Sequence, residues 1–235
     1  MIMLFGGDLG IKHHPIDRPS PGPNAPSAPP RGRHASPAVR TLGRYGEAMH
    51  EIVLIRHGQT EWSLAGRHTS HTDLPLTPEG ERQAAALAPR LAGRAFAAVW
   101  SSPRARARRT VKLAGLEATG IDEDLREWEY GSYEGITTAE IRQTSPKWTV
   151  WRDGCPGGET PLQVGARADR VLDRARTLLA TGDVVLVGHG HQLRVLVARW
   201  LGLPPAGGEL FRLETGTLSA LGYERETPVL LRWNA

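Results

Sequence analysis

The stretch EIVLIRHGQTEW, residues 51–62, decides the fold. Its first five residues, Glu51 to Ile55, are apolar and β-branched after the opening Glu, the pattern of a strand covered on both faces. The run stops at Arg56, His57 and Gly58, so two polar side chains and a glycine sit where a buried strand ends. The pattern recurs twice. FAAVW (96–100) leads into SSPRARARRT (101–110), and DVVLV (183–187) leads into GHGHQLR (188–194).

Helical stretches separate these runs. TPEGERQAAALAPRLAGR (77–94) opens with Thr77 as N-cap, Pro78 at the first helical position and Glu79 in the first turn, and Pro89 is expected to kink it. Residues 103–115, 161–182 and 191–202 read as three further helices, the second long and amphipathic. After Pro204 and Pro205, residues 208–235 alternate like two or three strands. Alternating strands and helices predict an α/β fold, a three-layer αβα sandwich around a largely parallel central sheet. No repeat or linker interrupts residues 49–235, which are expected to form one domain.

Residues 1–48 differ in kind. HHPIDRPSPGPNAPSAPPRGRHASP (13–37) is rich in Pro, Ser and Gly and too poor in large apolar residues to offset the entropy of ordering. A disordered Pro-rich head is expected, or a mis-assigned start with the working protein beginning near Met49. His13 and His14 read as tail residues rather than metal ligands.

Composition narrows the function. Of the net charge of +4, +3 falls in residues 1–48, so the sequence pI of about 9.6 does not signal a basic face on the folded part. No nucleic-acid partner is expected. No run of 18 apolar residues occurs, so no membrane span is expected. A single cysteine, Cys155, excludes an intrachain disulfide and fits a reducing cytoplasm. No metal-ligand spacing is present, and neither a metal nor a cofactor is expected.

In open α/β sheets, sites form beyond the carboxyl ends of the strands, where free N–H groups at helix starts favour anions. His57, Ser102, the arginines after Pro103 and His189 therefore belong to one sheet edge. LIRHGQTEW, SSPRARARRT, LREWEYGSYEG, PGGET and VLVGHG, in this order, resemble the histidine phosphatase superfamily and its phosphoglycerate-mutase-like fold, over residues 50–235.

The resemblance implies a role for each matching residue. His57 matches the nucleophile that is transiently phosphorylated. Arg56 and Arg106 match the phosphate-binding arginines, with His189 beside them, and Glu127 matches the proton donor. Ser63, where many relatives carry Asn, together with Gln59, Thr60 and Glu159, is expected at the pocket rim. Gly58 is expected to allow close backbone approach. Arg104, Arg108 and Arg109 read as a solvated face, Cys155 as a bystander thiol, and His191 lies outside the expected catalytic set. Trp128, Tyr130, Tyr133, Trp148 and Trp151 read as half core, half pocket wall.

The same chemistry serves phosphatases and mutases. The short segment between Glu127 and His189, without an adjacent basic pair after GSYEG, favours a phosphatase: an acid-phosphatase-like monoester hydrolase acting on sugar phosphates or a broad range of small phosphorylated substrates. A cofactor-dependent phosphoglycerate mutase is the alternative. A non-catalytic phospholigand-binding protein is the third reading, disfavoured because nucleophile and proton donor are both in place. The sequence leaves a homodimer open.

Overall fold

The computed structural model describes residues 50–235; the Pro-rich head and the start proposed at Met49 lie outside the described residues. In chain order the strands are β1 (Ile52–Arg56), β2 (Phe96–Ser101), β3 (Gly120–Ile121), β4 (Asp183–Gly188), β5 (Leu218–Glu224) and β6 (Thr227–Arg232). They form one sheet in the order β3-β2-β4-β1-β5-β6. The first four run parallel, while β5 is antiparallel to β1 and β6 to β5. The sheet is thus mixed at one edge.

The helices are α1 (Glu61–Leu64), α2 (Pro78–Ala86), α3 (Ala88–Leu91), α4 (Ala105–Leu113), α5 (Thr138–Thr144), α6 (Val150–Asp153), α7 (Pro161–Leu178) and α8 (Gly190–Trp200). Strand alternation assigns them to two layers. Ile52 and Leu54 of β1 face one core with Val164, Val171 and Leu172 of α7 and Leu193 and Leu196 of α8. Val53 and Ile55 face the other with Leu91 of α3 and Ala107 and Val111 of α4. All four β1 residues are at most 1% exposed. Each such burial contributes roughly 1.5–3 kcal/mol, which is why the central strands carry almost no polar residue.

The helix expected over 77–94 is two helices. Pro89 is the second residue of α3, and the break falls at Leu87, where a proline ring would clash with the preceding turn. The helix expected over 161–182 stops at Leu178. Residues 205–210 form a 3₁₀ turn, so the terminal strands begin only at Leu218 and number two.

Pairing aligns the strand ends. Arg56 lies opposite Gly188, and Ser101 opposite Val187. The ladder runs one residue further: His57 donates its backbone N–H to the Gly188 carbonyl at 3.1 Å, and Ser102 donates to Val187 at 2.9 Å. His57, Ser102 and His189 therefore leave the sheet at one edge.

Candidate active site

The ring centroids of His57 and His189 lie 5.0 Å apart at an interplanar angle of 65°. His57 is 5% exposed and His189 is fully buried. A hydrogen bond of 2.7 Å joins His57 Nδ1 to the Gly58 carbonyl. Because a carbonyl only accepts, Nδ1 carries the proton and the neutral ring keeps its lone pair on Nε2. His189 Nε2 contacts the Ser102 hydroxyl at 2.7 Å, while its Nδ1 is buried without a partner.

Gly58 does serve a close backbone approach, but to the protein itself. A Cβ there would stand 2.1 Å from the Gly80 carbonyl oxygen, so the first turn of α2 packs directly on the loop after β1.

Positive charge surrounds the imidazoles. The Arg106 guanidinium is buried and donates to the carbonyls of Thr69, Ser70 and Thr72 at 3.0–3.2 Å. That loop is itself braced, since the Glu134 carboxylate accepts from the backbone N–H groups of Ser70 and Thr72. Arg56 donates to the Leu213 carbonyl. Among the described residues, the buried side-chain polar atoms without a partner are Nε of Arg56, Arg104 and Arg106, His189 Nδ1 and Gln192 Oε1. An orphaned buried donor costs about 1–3 kcal/mol, and three of these five belong to the residues around His57. A tetrahedral oxyanion bound there would supply the acceptors.

Arg104 departs from the expected solvated face. It is half-buried with its Nε orphaned, whereas Arg108 and Arg109 are exposed as expected. Its charge contributes to lowering the His189 pKa.

Glu127 is 8% exposed, not a surface residue. One carboxylate oxygen accepts from the backbone N–H groups of Trp128 at 2.8 Å and Gln192 at 2.9 Å, and the other from that of His191 at 3.1 Å. Helix α8 has His189 at its N-cap and no side-chain cap bond of its own, so Glu127 caps it from a distant segment. Asp73 does the same for α4, accepting from the Ala105 N–H with both oxygens. The two helices that begin at the site are thus each capped by a carboxylate from elsewhere in the chain.

A pocket of about 230 Å³ opens onto Arg56, His57 and Glu127, and Thr60 and Ser63 line it as expected. Thr60 caps α1 through a reciprocal bond with Ser63. Gln59 and Glu159 are not in the lining, nor are the buried Arg106 and His189. The Gln59 side chain accepts from the Thr77 hydroxyl at 2.9 Å, tying the loop after β1 to α2. Glu159 forms an ion pair with buried Arg167 at 2.7 Å and accepts from the Glu129 N–H at 2.9 Å. Arg167 in turn donates to the carbonyls of Asp124 and Arg126. Glu159 therefore stiffens the segment that carries Glu127.

The lining residues that were not anticipated include Arg67, His68, His191 and Arg194. His191 Nδ1 lies 2.6 Å from the Tyr130 hydroxyl, and the His68 and His191 rings stack at 6.1 Å. Tyr130 lines the pocket, while Trp128, Trp148 and Trp151 are buried in the core. One signal was available: Arg194 lies four residues after Gly190, hence on the same helical face.

Electrostatics favour neutral rings. Burial, then Arg106 and Arg56, push the His57 pKa well below the ordinary histidine value. Burial followed by Arg106 lowers that of His189 likewise. Burial pushes the Cys155 thiol up to about 12, so it is inert at neutral pH. The fold also gathers His71, Glu129 and Glu134, with ligand atoms within 4.8 Å of one another, a grouping that the sequence spacing did not reveal.

The family model described as the histidine phosphatase superfamily, branch 1, matches residues 52–235. The chain is 43% identical over 182 residues to an acid phosphatase of Mycobacterium tuberculosis, spanning 76% of this chain and 89% of the relative. It is 38% identical over 182 residues to a sedoheptulose 1,7-bisphosphatase of Saccharomyces cerevisiae, spanning 64% of this chain and 67% of the relative. A solved structure of an open reading frame from Mycobacterium tuberculosis superposes with a TM-score of 0.76 at 42% identity, covering 79% of this chain and 97% of that one.

Proposed function

This chain belongs to branch 1 of the histidine phosphatase superfamily, and we propose that it hydrolyses phosphate monoesters through a phosphohistidine on His57. One observation carries the reading: a neutral imidazole with its free lone pair on Nε2 lies in a cationic cradle whose donors lack acceptors.

In the first step His57 Nε2 attacks phosphorus in line with the departing ester oxygen. The N–P bond forms as the P–O bond breaks, and Glu127 in its acid form delivers a proton to the leaving alkoxide. Arg56, Arg106 and His189 hold the equatorial oxygens, where charge accumulates. In the second step Glu127 takes a proton from water, which attacks phosphorus. The N–P bond breaks, phosphate leaves and neutral His57 is restored. These groups supply the charge stabilisation, with no step assigned to a metal.

The neutral, hydrogen-bonding wall of Thr60, Ser63, His68, Tyr130 and His191 suits the hydroxyls of a sugar phosphate. Among the described residues no helix is long and apolar enough to cross a membrane, and a single cysteine fits the cytoplasm. The testing experiment measures inorganic phosphate released from a panel of sugar phosphates by the purified chain. Release that depends on His57 supports the reading. Conversion of 3-phosphoglycerate to 2-phosphoglycerate, stimulated by 2,3-bisphosphoglycerate without phosphate release, would establish a mutase instead.

A further inference from the structure

Ser102 follows β2 as His189 follows β4, yet the steps above give its hydroxyl no task. It is fully buried, and its backbone N–H extends the ladder to the Val187 carbonyl at 2.9 Å. The hydroxyl oxygen lies 2.7 Å from His189 Nε2. Among the described residues it has one other partner, the Arg104 backbone N–H at 3.4 Å.

A serine hydroxyl has one hydrogen and two lone pairs, so these two contacts fix its direction. The Arg104 N–H can only donate, and it takes one lone pair. The Ser101 hydroxyl does not compete for His189, because it donates to the Ser102 carbonyl at 2.9 Å. The Ser102 hydrogen therefore has a single acceptor within reach, His189 Nε2. A neutral imidazole that accepts at Nε2 carries its proton on Nδ1. Nδ1 is the buried nitrogen without a protein partner, as is Nε of Arg56 and of Arg106. The opposite tautomer fails twice. It buries the Ser102 hydrogen without an acceptor, and it turns a lone pair toward the bound oxyanion.

We infer that Ser102 is a positioning residue: by donating to His189 Nε2 it fixes the tautomer whose Nδ1–H is free to donate to a phosphoryl oxygen. The inference rests on the phosphatase reading above, which supplies that oxygen. His57 and His189 then share one tautomer and differ in how it is used. His57 directs Nδ1–H at the Gly58 carbonyl and keeps Nε2 to attack. His189 commits Nε2 to Ser102 and keeps Nδ1–H for the substrate. Because Ser102 also accepts the N–H at the N-cap of α4, one hydroxyl ties the tautomer to the helix that carries Arg106. A neutral donor set in advance needs no reorganisation as charge builds on the oxygens.

The test reads the tautomer directly. Long-range ¹H–¹⁵N spectra are recorded at neutral pH on the full chain labelled with ¹⁵N-histidine, and the His189 ring is assigned by its loss in His189→Gln. Nδ1 should show the shift of a protonated nitrogen and Nε2 that of an unprotonated one. A proton on Nε2 overturns the inference without recourse to any variant. Ser102→Ala removes the donor, so Nε2 should gain protonated character. Affinity for vanadate, which adopts the five-coordinate geometry of the transition state, should fall about tenfold in that variant. Affinity for inorganic phosphate, a ground-state ligand, should fall less. Equal losses for the two ligands, or an unchanged His189 spectrum in Ser102→Ala, overturn the inference. Absence of His57-dependent phosphate release from every sugar phosphate overturns the phosphatase reading instead, and the spectrum still decides the tautomer.

Discussion

The imidazoles of His57 and His189 face each other 5.0 Å apart because parallel pairing of β1 with β4 sets Arg56 opposite Gly188. Register, rather than any contact between the rings, brings them together: each histidine is the first residue beyond its strand. Both are held neutral by burial and by the same arginines, one ring able to attack and the other able to support the anion.

Buried neutral imidazoles make stability pH-dependent. The unfolded chain takes up protons near pH 6.5, whereas folded His57 and His189 resist protonation far below it. Their contribution is therefore complete above pH 6.5 and is lost as pH falls beneath it, by up to about 1.4 kcal/mol per pH unit for each. Urea unfolding at pH 7.5 and 5.5 should show a lower midpoint in acid, and His189→Gln should flatten the difference. An identical pH slope in that variant contradicts neutral burial. The acid limb of kcat/KM should likewise lie below pH 6.5.

Glu127→Gln separates proton donation from helix capping. The amide oxygen can still accept from Trp128 and Gln192, but its NH₂ opposes the N–H of His191, so a modest stability loss is expected. Turnover of an alkyl phosphate should drop by roughly 10²–10⁴. The loss should be smaller for p-nitrophenyl phosphate, whose leaving group departs without a proton. Losses below threefold on both substrates exclude Glu127 as the donor.

Glu159 is expected to act through structure. Glu159→Gln weakens the ion pair with Arg167 and should lower unfolding free energy by about 2 kcal/mol, with KM changed less than threefold. Calorimetry and steady-state kinetics on the same preparation decide it. An unchanged Tm with a large rise in KM would return Glu159 to the pocket rim.

Turnover of p-nitrophenyl phosphate should survive excess EDTA, because the positive charge is supplied by side chains. If the chelator abolishes activity and a divalent metal restores it, the His71, Glu129 and Glu134 grouping becomes the place to locate the ion.

Local chemistry made much of this legible. Buried strands, capped helices and the polar residues at strand ends are short-range signals, and they pointed to His57, Ser102, His189 and the arginines after Pro103 at one edge, whereas Arg106 among those arginines and Glu127 were singled out only by the resemblance to the family. What escaped depends on tertiary closure. Short α5 and α6 carry too few turns for a hydrophobic period to emerge, and β3 has two residues. Glu159 and Gln59 carry pocket-like chemistry, but their partners Arg167 and Thr77 are fixed only when separate segments meet. Arg194 shares a helical face with Gly190, a signal that spacing carries, but that this face lines the pocket is fixed only by tertiary closure.

The central claim is that phosphorus is transiently bonded to nitrogen of His57. Rapid-quench mixing with a ³²P-labelled monoester, followed by peptide mapping, tests it most directly. The account predicts an acid-labile, alkali-stable adduct on the peptide containing His57, approaching one per active site, and none in His57→Ala, whose turnover should fall by roughly 10⁴-fold or more. Label on another residue, or full turnover in His57→Ala, would contradict it.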